Sequence, residues 1–391
     1  MKSYEAVARS LREARPDRLL AALRSALAEH YGAVAVDLLL VDYGMTALCH
    51  VAAGADEGEQ YSVFTSPAGR AFGSQEPLVE ERSGRGTIMV HLPVSVRGDR
   101  LGVLTVETPG RSLPGPTQLE LQRIAEDAGR ALLVAERDTD VYRVARRRNR
   151  LTLAAEMQWD LLSGRAYECP EYSIGAQLEP AYAIRGDNFD WSVSGDRLHL
   201  SITNGMGEGI EASLLTSLAV NALRNARRGG APLAGQAALV DQAVYAQHGG
   251  RRFLEMLLLS FDAATGEVEA VDAGSPRLYV LRGDEVVPWP FEAQMPVGMA
   301  EDTVYSVERF RARPGDRLVF VSDGVFDARN LTGESFGDRA LTRAVMGTRL
   351  LPAASVPQEV LRHLSGYREG RASEDDTLVV CVDWRGREGA V

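Results

Sequence analysis

The sequence has almost no lysine, since Lys2 is the only one among 391 residues. This absence excludes Schiff-base chemistry and a phosphate-binding P-loop, because both need a lysine. The chain also has only three cysteines (Cys49, Cys169 and Cys381), and none lies in the spacing of a zinc site. An odd, scattered set suits a reducing compartment. Any catalysis is therefore expected to use acids, metals, histidines or arginines.

Long hydrophobic runs are missing as well. The longest apolar stretches, such as Val34–Val41 and Leu254–Phe261, are strand-sized, well below the ~20 residues that span a bilayer. The N-terminus has no secretory pattern, and a net charge of −11 argues against nucleic acid as a partner. We expect a cytoplasmic protein that binds neither membrane nor nucleic acid.

Residues 1–115 predict an α+β domain. Strands are expected at Val34–Val41, Thr87–Val96 and Arg100–Glu107, and the turn Arg97-Gly98-Asp99 between the last two is a hairpin signal. A helix is expected to start at Pro67. The segment Leu92–Leu104 resembles the closing strands of GAF sensory domains, over roughly residues 15–135. That resemblance implies a small-molecule ligand of unknown identity.

The sequence of residues 116–165 predicts a helical linker that continues to about Leu162. The closing helix of the first domain is expected to run into this linker as far as about residue 135. Apolar and small residues recur at alternating three- and four-residue steps, as in a coiled coil: Leu121, Ile124, Ala128, Ala131, Ala135, Asp138, Tyr142, Ala145 and Asn149. This spacing favours a paired helix in a homodimer. The alternative is a single helix packed against its own domains.

Residues 166–391 carry three acidic motifs at strand ends: Gly186-Asp187-Asn188-Phe189-Asp190, Ser322-Asp323-Gly324 and Glu374-Asp375-Asp376. Antiparallel strands with a few long helices predict a layered α+β sandwich, so carboxylates at strand ends can converge on one edge. Oxygen ligands without cysteine or histidine favour Mg²⁺ or Mn²⁺. Two such ions can activate water and stabilise charge on a phosphoryl oxygen.

The order of these motifs resembles the SpoIIE/RsbU group of PPM phosphatases over residues 150–386. Further matching segments are Leu153–Gln158, Gly207-Glu208-Gly209, Ala273-Gly274-Ser275-Pro276 and Pro314–Leu318. The resemblance implies an αββα sandwich and metal-dependent removal of phosphate from phosphoserine or phosphothreonine. It also implies that Asp187, Asn204, Asp323 and Asp375 occupy catalytic positions.

Three departures from the group concern the metal site. Asn204 stands where the group has the aspartate that bridges both metals, and it is followed by Gly205, whose carbonyl position also ligates. Asparagine keeps one neutral oxygen and loses the charge, which should weaken at least one metal site. Ser275 replaces the usual histidine of a turn.

The third departure is the last motif, which normally reads Asp-Asp-x-Thr. Aligning Thr377 with that threonine keeps Leu378 on the final strand and puts Glu374 at the first aspartate; shifting by one keeps Asp375-Asp376 as the pair. We prefer the first register, which leaves either Glu374 or Asp375 as the ligand.

Two functions remain open on this sequence. The first is a working phosphatase whose metal ligands are Asp187, Asn204, Gly205, Asp323 and Glu374 or Asp375. By resemblance its substrate is a phosphorylated regulatory protein of the STAS anti-anti-sigma type, under control of the GAF-like domain. The second is a pseudophosphatase that keeps the fold as a signal-dependent binding module, favoured by the changes at Asn204 and Ser275.

Overall fold

The computed structural model describes residues 2–51, 60–82, 86–147, 151–180, 184–371 and 373–387. Its contacts divide the chain into unit 1, Met1–Arg150, and unit 2, Leu151–Val391. Residues 148–150 of the predicted linker, which include Asn149, lie outside the described residues. Within these ranges no helix is both long enough and apolar enough to cross a bilayer.

Unit 1 is built on an antiparallel sheet in the order β3-β2-β1-β6-β5-β4. The strands are β1 Ala35–Val41, β2 Ala47–His50, β3 Gln60–Ser62, β4 Leu78–Arg82, β5 Thr87–Val96 and β6 Asp99–Pro109. The helices are α1 Lys2–Glu13, α2 Leu19–Tyr31, α3 Pro67–Ser74, α4 Gly115–Ala135 and α5 Val141–Ala145. Helices α1, α2 and α4 share a core with one face of the sheet, and α3 packs on the other.

The hairpin predicted at residues 97–99 is confirmed. Val96 pairs with Asp99 across a two-residue loop, and Arg97 and Gly98 both have positive φ, 53° and 89°. This is the turn geometry whose twist matches that of the flanking strands. The predicted β5 and the helix start at Pro67 are also confirmed.

The continuous helix predicted over residues 116–162 is wrong. Helix α4 ends at Ala135, α5 covers only Val141–Ala145, and the next helix begins at Leu153. The heptad positions Leu121, Ile124 and Ala128 are buried in the core of unit 1. The periodicity therefore reflects packing of one helix against its own sheet, which needs the same apolar stripe as a helix pair.

Unit 2 contains two antiparallel sheets with helices outside them. The first sheet has the order β15-β12-β11-β10-β9 and the second β14-β13-β16-β17-β8-β7. The strands are β7 Ala166–Glu168, β8 Tyr172–Glu179, β9 Asn188–Ser194, β10 Arg197–Gly205, β11 Leu254–Asp262, β12 Glu267–Ala273, β13 Arg277–Arg282, β14 Glu285–Pro288, β15 Glu308–Arg311, β16 Arg317–Val321 and β17 Thr377–Trp384. The helices are α6 Leu153–Leu161, α7 Gly209–Arg228, α8 Leu233–His248, α9 Asp323–Phe326, α10 Ala340–Gly347 and α11 Val356–Tyr367.

The two sheets pack face to face through alternate apolar residues. Leu200 and Ile202 of β10 share a core with Phe320 of β16 and Val380 of β17. Helices α7 and α8 cover the outer face of the first sheet, and α10 and α11 cover that of the second. The predicted αββα sandwich is thus confirmed. Burying each large apolar side chain here contributes about 1.5–3 kcal/mol.

The strand register places the acidic motifs at one end of the sandwich. In the first sheet the start of β9 pairs with the end of β10, as Asn188 opposite Thr203. In the second sheet the end of β16 pairs with the start of β17, as Val321 opposite Val379. The carboxylates that flank these strands therefore meet where the two sheets end together.

A carboxylate centre at one end of the sandwich

Asp323 and Asn204 join the two sheets at this end. Asp323 follows β16 and begins α9, while Asn204 lies near the end of β10. The Asn204 amide nitrogen donates to Oδ2 of Asp323 at 2.8 Å and to the Ser275 hydroxyl at 3.4 Å. The backbone amide of Gly324 donates to Oδ1 of Asp323 at 2.8 Å. Because an ionised carboxylate only accepts hydrogen bonds, the nitrogen of Asn204 is the atom that faces it.

Asp187 is the buried member of the centre. Its side chain is 0% exposed, and neither carboxylate oxygen has a hydrogen-bond donor in bonding geometry. Burial, followed by the charges of Asp376 and Asp323, raises the pKa of Asp187 well above its ordinary value, and the nearby Ser322 hydroxyl offsets only part of this. A buried carboxylate without a partner is costly, so this position needs either a proton or a cation.

The three residues of the last acidic motif lie in different surroundings: Glu374 is at the surface, Asp375 is near the other acids, and Asp376 is in the interior. Glu374 is exposed on the rim of a cavity that Asp375 and Asp323 also line. Burial and the charge of Asp323 raise the pKa of Asp375 to about 6, and its charge also acts on Asp187. The choice of ligand between Glu374 and Asp375 stays a prediction, with Asp375 the one directed at the other acids.

Asp376 is fully buried and holds the loop that carries Asp187. Its Oδ2 accepts hydrogen bonds from the backbone amides of Arg185 at 3.0 Å, Gly186 at 2.9 Å and Asp187 at 3.3 Å. The side chain of Gln158, on α6, donates to the same oxygen and to the Asp187 carbonyl, both at 2.8 Å. Asp376 therefore positions Asp187.

Asp190, the second acid of the first motif, lies away from the centre. Its buried carboxylate accepts from Arg224 at 2.8 Å, Arg227 at 3.0 Å and Ser163 at 2.6 Å. Burial raises the pKa of Asp190, but hydrogen bonds from Arg224 and Ser163 outweigh it and lower the value overall. Asp190 ties β9 to α7, which is a structural role.

A cavity of about 420 Å³ opens beside Asp323 and Asp375, and four arginines line it: Arg185, Arg329, Arg368 and Arg371. The Arg368 guanidinium donates to the Gly324 carbonyl at 2.8 Å. The Arg185 Nε is buried without a partner. Guanidinium groups bind phosphate oxygens in paired geometry, so this cavity suits a phosphoryl group next to the acids.

The donor set of the centre fits a hard divalent cation. Asp187, Asp323 and Asp375 offer only oxygens, as Mg²⁺ and Mn²⁺ prefer, and the unpartnered oxygens of Asp187 are the observation that calls for positive charge. Gly205 ends β10, where a Cβ would lie 2.6 Å from the Thr216 hydroxyl. Within the described ranges, no three histidine, cysteine or acidic side chains already form a group with metal-site spacing.

Sequence reasoning gave no role to Arg368 or Glu255, named Asp376 only in the alternative register of the last motif, and named Gln158 only within a matching segment. Glu255 lies opposite Asn204 on β11 and lines a second cavity with Asp323. One signal was available for it: it is the single acid in the first eight residues of the apolar strand Leu254–Asp262. Arg368 carried no comparable signal, because arginines are common near the ends of helices.

Comparison with known proteins identifies the family of this region. Residues 194–385 match the family model of Stage II sporulation protein E (SpoIIE), a segment that includes Asn204, Asp323 and Asp375 and leaves Asp187 outside. Phosphoserine phosphatase RsbU of Bacillus subtilis is 23% identical over 236 residues, covering 60% of this chain and 70% of RsbU. Protein IcfG of Synechocystis sp. is 22% identical over 264 residues, and the match covers 60% of this chain but only 42% of IcfG.

Solved structures of phosphatase domains also resemble part of this chain. The SiaA-PP2C domain of Pseudomonas aeruginosa is 20% identical with a TM-score of 0.49, covering 55% of this chain and 86% of that one. The phosphatase domain of SpoIIE from Bacillus subtilis, with a fragment of its regulatory domain, is 15% identical with a TM-score of 0.48, covering 79% and 82%. Residues 194–385, which contain Asn204, Asp323 and Asp375 of the carboxylate centre, therefore match the SpoIIE family, whereas Asp187 lies before the matched segment.

Proposed function

We propose that unit 2 is a metal-dependent protein phosphatase that removes phosphate from phosphoserine or phosphothreonine. The observation that carries the proposal is Asp187, fully buried and unpartnered beside Asp323 and Asp375. Mn²⁺ or Mg²⁺ would be held by these acids, with Asn204 and the Gly205 carbonyl as weaker neutral donors. When bound, such an ion supplies Lewis-acid polarisation of a phosphoryl oxygen and activation of water.

In this proposal one group of residues orients Asp187 and another would bind the phosphoryl group. Asp376 and Gln158 fix the loop of Asp187 through five hydrogen bonds to its backbone and to each other, which keeps the buried acid oriented. Arg185 and Arg368 line the cavity beside the acids and would hold the phosphoryl oxygens. Orientation of this kind is a large part of catalysis in phosphoryl transfer, where little covalent chemistry is asked of the protein.

The substrate and the control of this activity are further parts of the proposal. A phosphorylated regulatory protein of the STAS type fits the likeness to RsbU, and the GAF-like unit 1 would gate the reaction in response to a small molecule. The homodimer stays a prediction, and light scattering at high micromolar concentration is its check. A monomer there would remove it.

The experiment is phosphate release from a phosphoserine peptide by the full chain with Mn²⁺. Asp323→Ala should reduce the rate by at least about a hundredfold, since losing one electrostatic contact to a transition state costs ~10²–10³. Asp284→Ala is the matched control, because Asp284 is an exposed aspartate of the same unit. Equal rates in the Asp323 variant and the wild type would refute this site.

A binding module without turnover is the second candidate, and one contact favours it. The Asn204 amide donates a hydrogen bond to Oδ2 of Asp323, so this oxygen already has a partner in the place where a cation would otherwise bind it. Calorimetric titration with Mn²⁺ separates the two candidates. Tight binding at two sites would exclude the binding module, whereas absence of both Mn²⁺ binding and phosphate release would exclude the phosphatase.

A further inference from the structure

We propose that Glu255 supplies the carboxylate that the centre lacks at Asn204, so that a divalent cation binds between Asp323 and Glu255. The inference deepens the proposed function, on which it rests, because it names a metal ligand from a different strand. It predicts that the centre keeps its full number of acidic side chains, with one of them contributed by the neighbouring strand.

The strand register puts Glu255 where a replacement must lie. Asn204 of β10 and Glu255 of β11 are direct partners in the antiparallel ladder. Residues directly opposite in such a ladder point to the same face, with Cβ atoms about 4.5–5.5 Å apart. Asn204 reaches Asp323 by its hydrogen bond of 2.8 Å, so the neighbouring Glu255, with a longer side chain, is within reach of the same acid.

The surroundings direct the Glu255 side chain towards Asp323. A Cβ on Gly274 would lie 2.6 Å from Cβ and 2.5 Å from Cγ of Glu255. The Glu255 side chain therefore packs directly against the Gly274 backbone, where a larger residue would clash with it. The Ser275 hydroxyl, which accepts from the Asn204 amide at 3.4 Å, also interacts with Glu255. Glu255 and Asp323 then line the same cavity of about 500 Å³.

The charge pattern there calls for a cation. Glu255 and Asp323 are both acids, and they repel each other electrostatically. Arg277, the single arginine that lines this cavity, lies over the ring of Phe326 at 3.7 Å. Independently, Asp187 has two buried oxygens without partners, and the charge of Asp323 acts on it. Asp323 therefore interacts electrostatically with both Asp187 and Glu255, and Asn204 contributes only a neutral amide.

The test is Mn²⁺ binding to the full chain by calorimetry, with free Mn²⁺ followed by electron paramagnetic resonance. Glu255→Gln removes the charge and keeps the shape, and it should weaken binding by at least about tenfold or remove one ion, since perturbing metal-site residues costs 10–100-fold. Adding Asn204→Asp to that variant should restore the affinity, because it returns a carboxylate to the opposite strand position. Glu267→Gln is the control, an exposed glutamate of the same sheet.

The outcomes separate this inference from the proposed function. Equal Mn²⁺ affinity of wild type and Glu255→Gln overturns the inference, as does a wild type that binds no Mn²⁺. The same holds if Asn204→Asp fails to rescue a Glu255→Gln variant that melts at the wild-type temperature. Phosphate release is measured on the same samples: loss of Mn²⁺ affinity in Glu255→Gln without turnover in the wild type supports the inference and defeats the phosphatase.

Discussion

Restoring the charge at position 204 should destabilise the protein in the absence of metal. In Asn204→Asp, a carboxylate oxygen takes the place of the nitrogen that lies 2.8 Å from Oδ2 of Asp323. The variant loses a hydrogen bond to a charged group, about 1.5–3 kcal/mol. It also gains a repulsion of about 4 kcal/mol for two charges 4 Å apart at an effective dielectric constant of 20. Rotation of the new side chain and partial protonation relieve part of this, so we expect a net loss of about 3 kcal/mol.

The assay is urea unfolding of wild type and Asn204→Asp, first in EDTA and then in saturating Mn²⁺. A loss of about 3 kcal/mol is a large share of the 5–15 kcal/mol that stabilise a typical domain, so it is readily measured. Mn²⁺ should recover most of it, because a ligand that binds only the folded state stabilises that state. Asn221→Asp is the control, since Asn221 is an exposed residue of α7.

The reasoning is refuted if Asn204→Asp and wild type unfold at the same urea concentration in EDTA. That result would mean that Asn204 and Asp323 are not neighbours in solution, and the carboxylate centre would then lose its link between the two sheets. If Mn²⁺ does not reverse the loss of stability seen in EDTA, the contact between residue 204 and Asp323 is supported, but binding of a divalent cation there is excluded.

Three more predictions concern the surrounding structure. Asp190→Ala should cost about 3–5 kcal/mol in urea unfolding, because it leaves two partly buried arginines without their carboxylate; a cost below about 1 kcal/mol contradicts the network. Gly324→Ala should cost about 1–3 kcal/mol, since its Cβ would lie 2.0 Å from the Asp376 carbonyl oxygen, whereas Gly347→Ala, with open space around it, should be neutral. Burial raises the pKa of Asp272 to about 6 from 3.8, so the folded state favours its protonated form. Stability from this group is therefore present below about pH 4 and lost by about pH 6, at most about 3 kcal/mol. Asp272→Asn should abolish this loss in urea titrations at pH 4.5 and 7.5, and an unchanged pH dependence counts against it.

Local patterns in the sequence were enough to predict the main strands of the first domain and the layered sandwich of the second. β1, β5 and β6 were recognised because alternation and turn residues are short-range features. The helix across residues 116–162 failed for a reason of the same kind. A stripe of apolar residues fits a partner helix and the chain's own sheet equally well, and the breaks after Ala135 and Ala145 have no proline or glycine to signal them.

The sequence by itself determined which chemistry is possible: oxygen ligands from acids, an asparagine in place of one of them, and almost no lysine. Only the tertiary structure decided which acids act together. Asp190 and Asp376 both belong to acidic motifs, but Asp190 binds arginines and Asp376 accepts hydrogen bonds from backbone amides. Asp187, by contrast, is buried without a hydrogen-bond partner. Glu255 lies beside Asn204 because their strands pair, although the two residues are fifty-one positions apart in the sequence. The physical reason is that charge interactions depend on distance in space, and strand register, which sets that distance, is fixed by packing of residues remote in sequence.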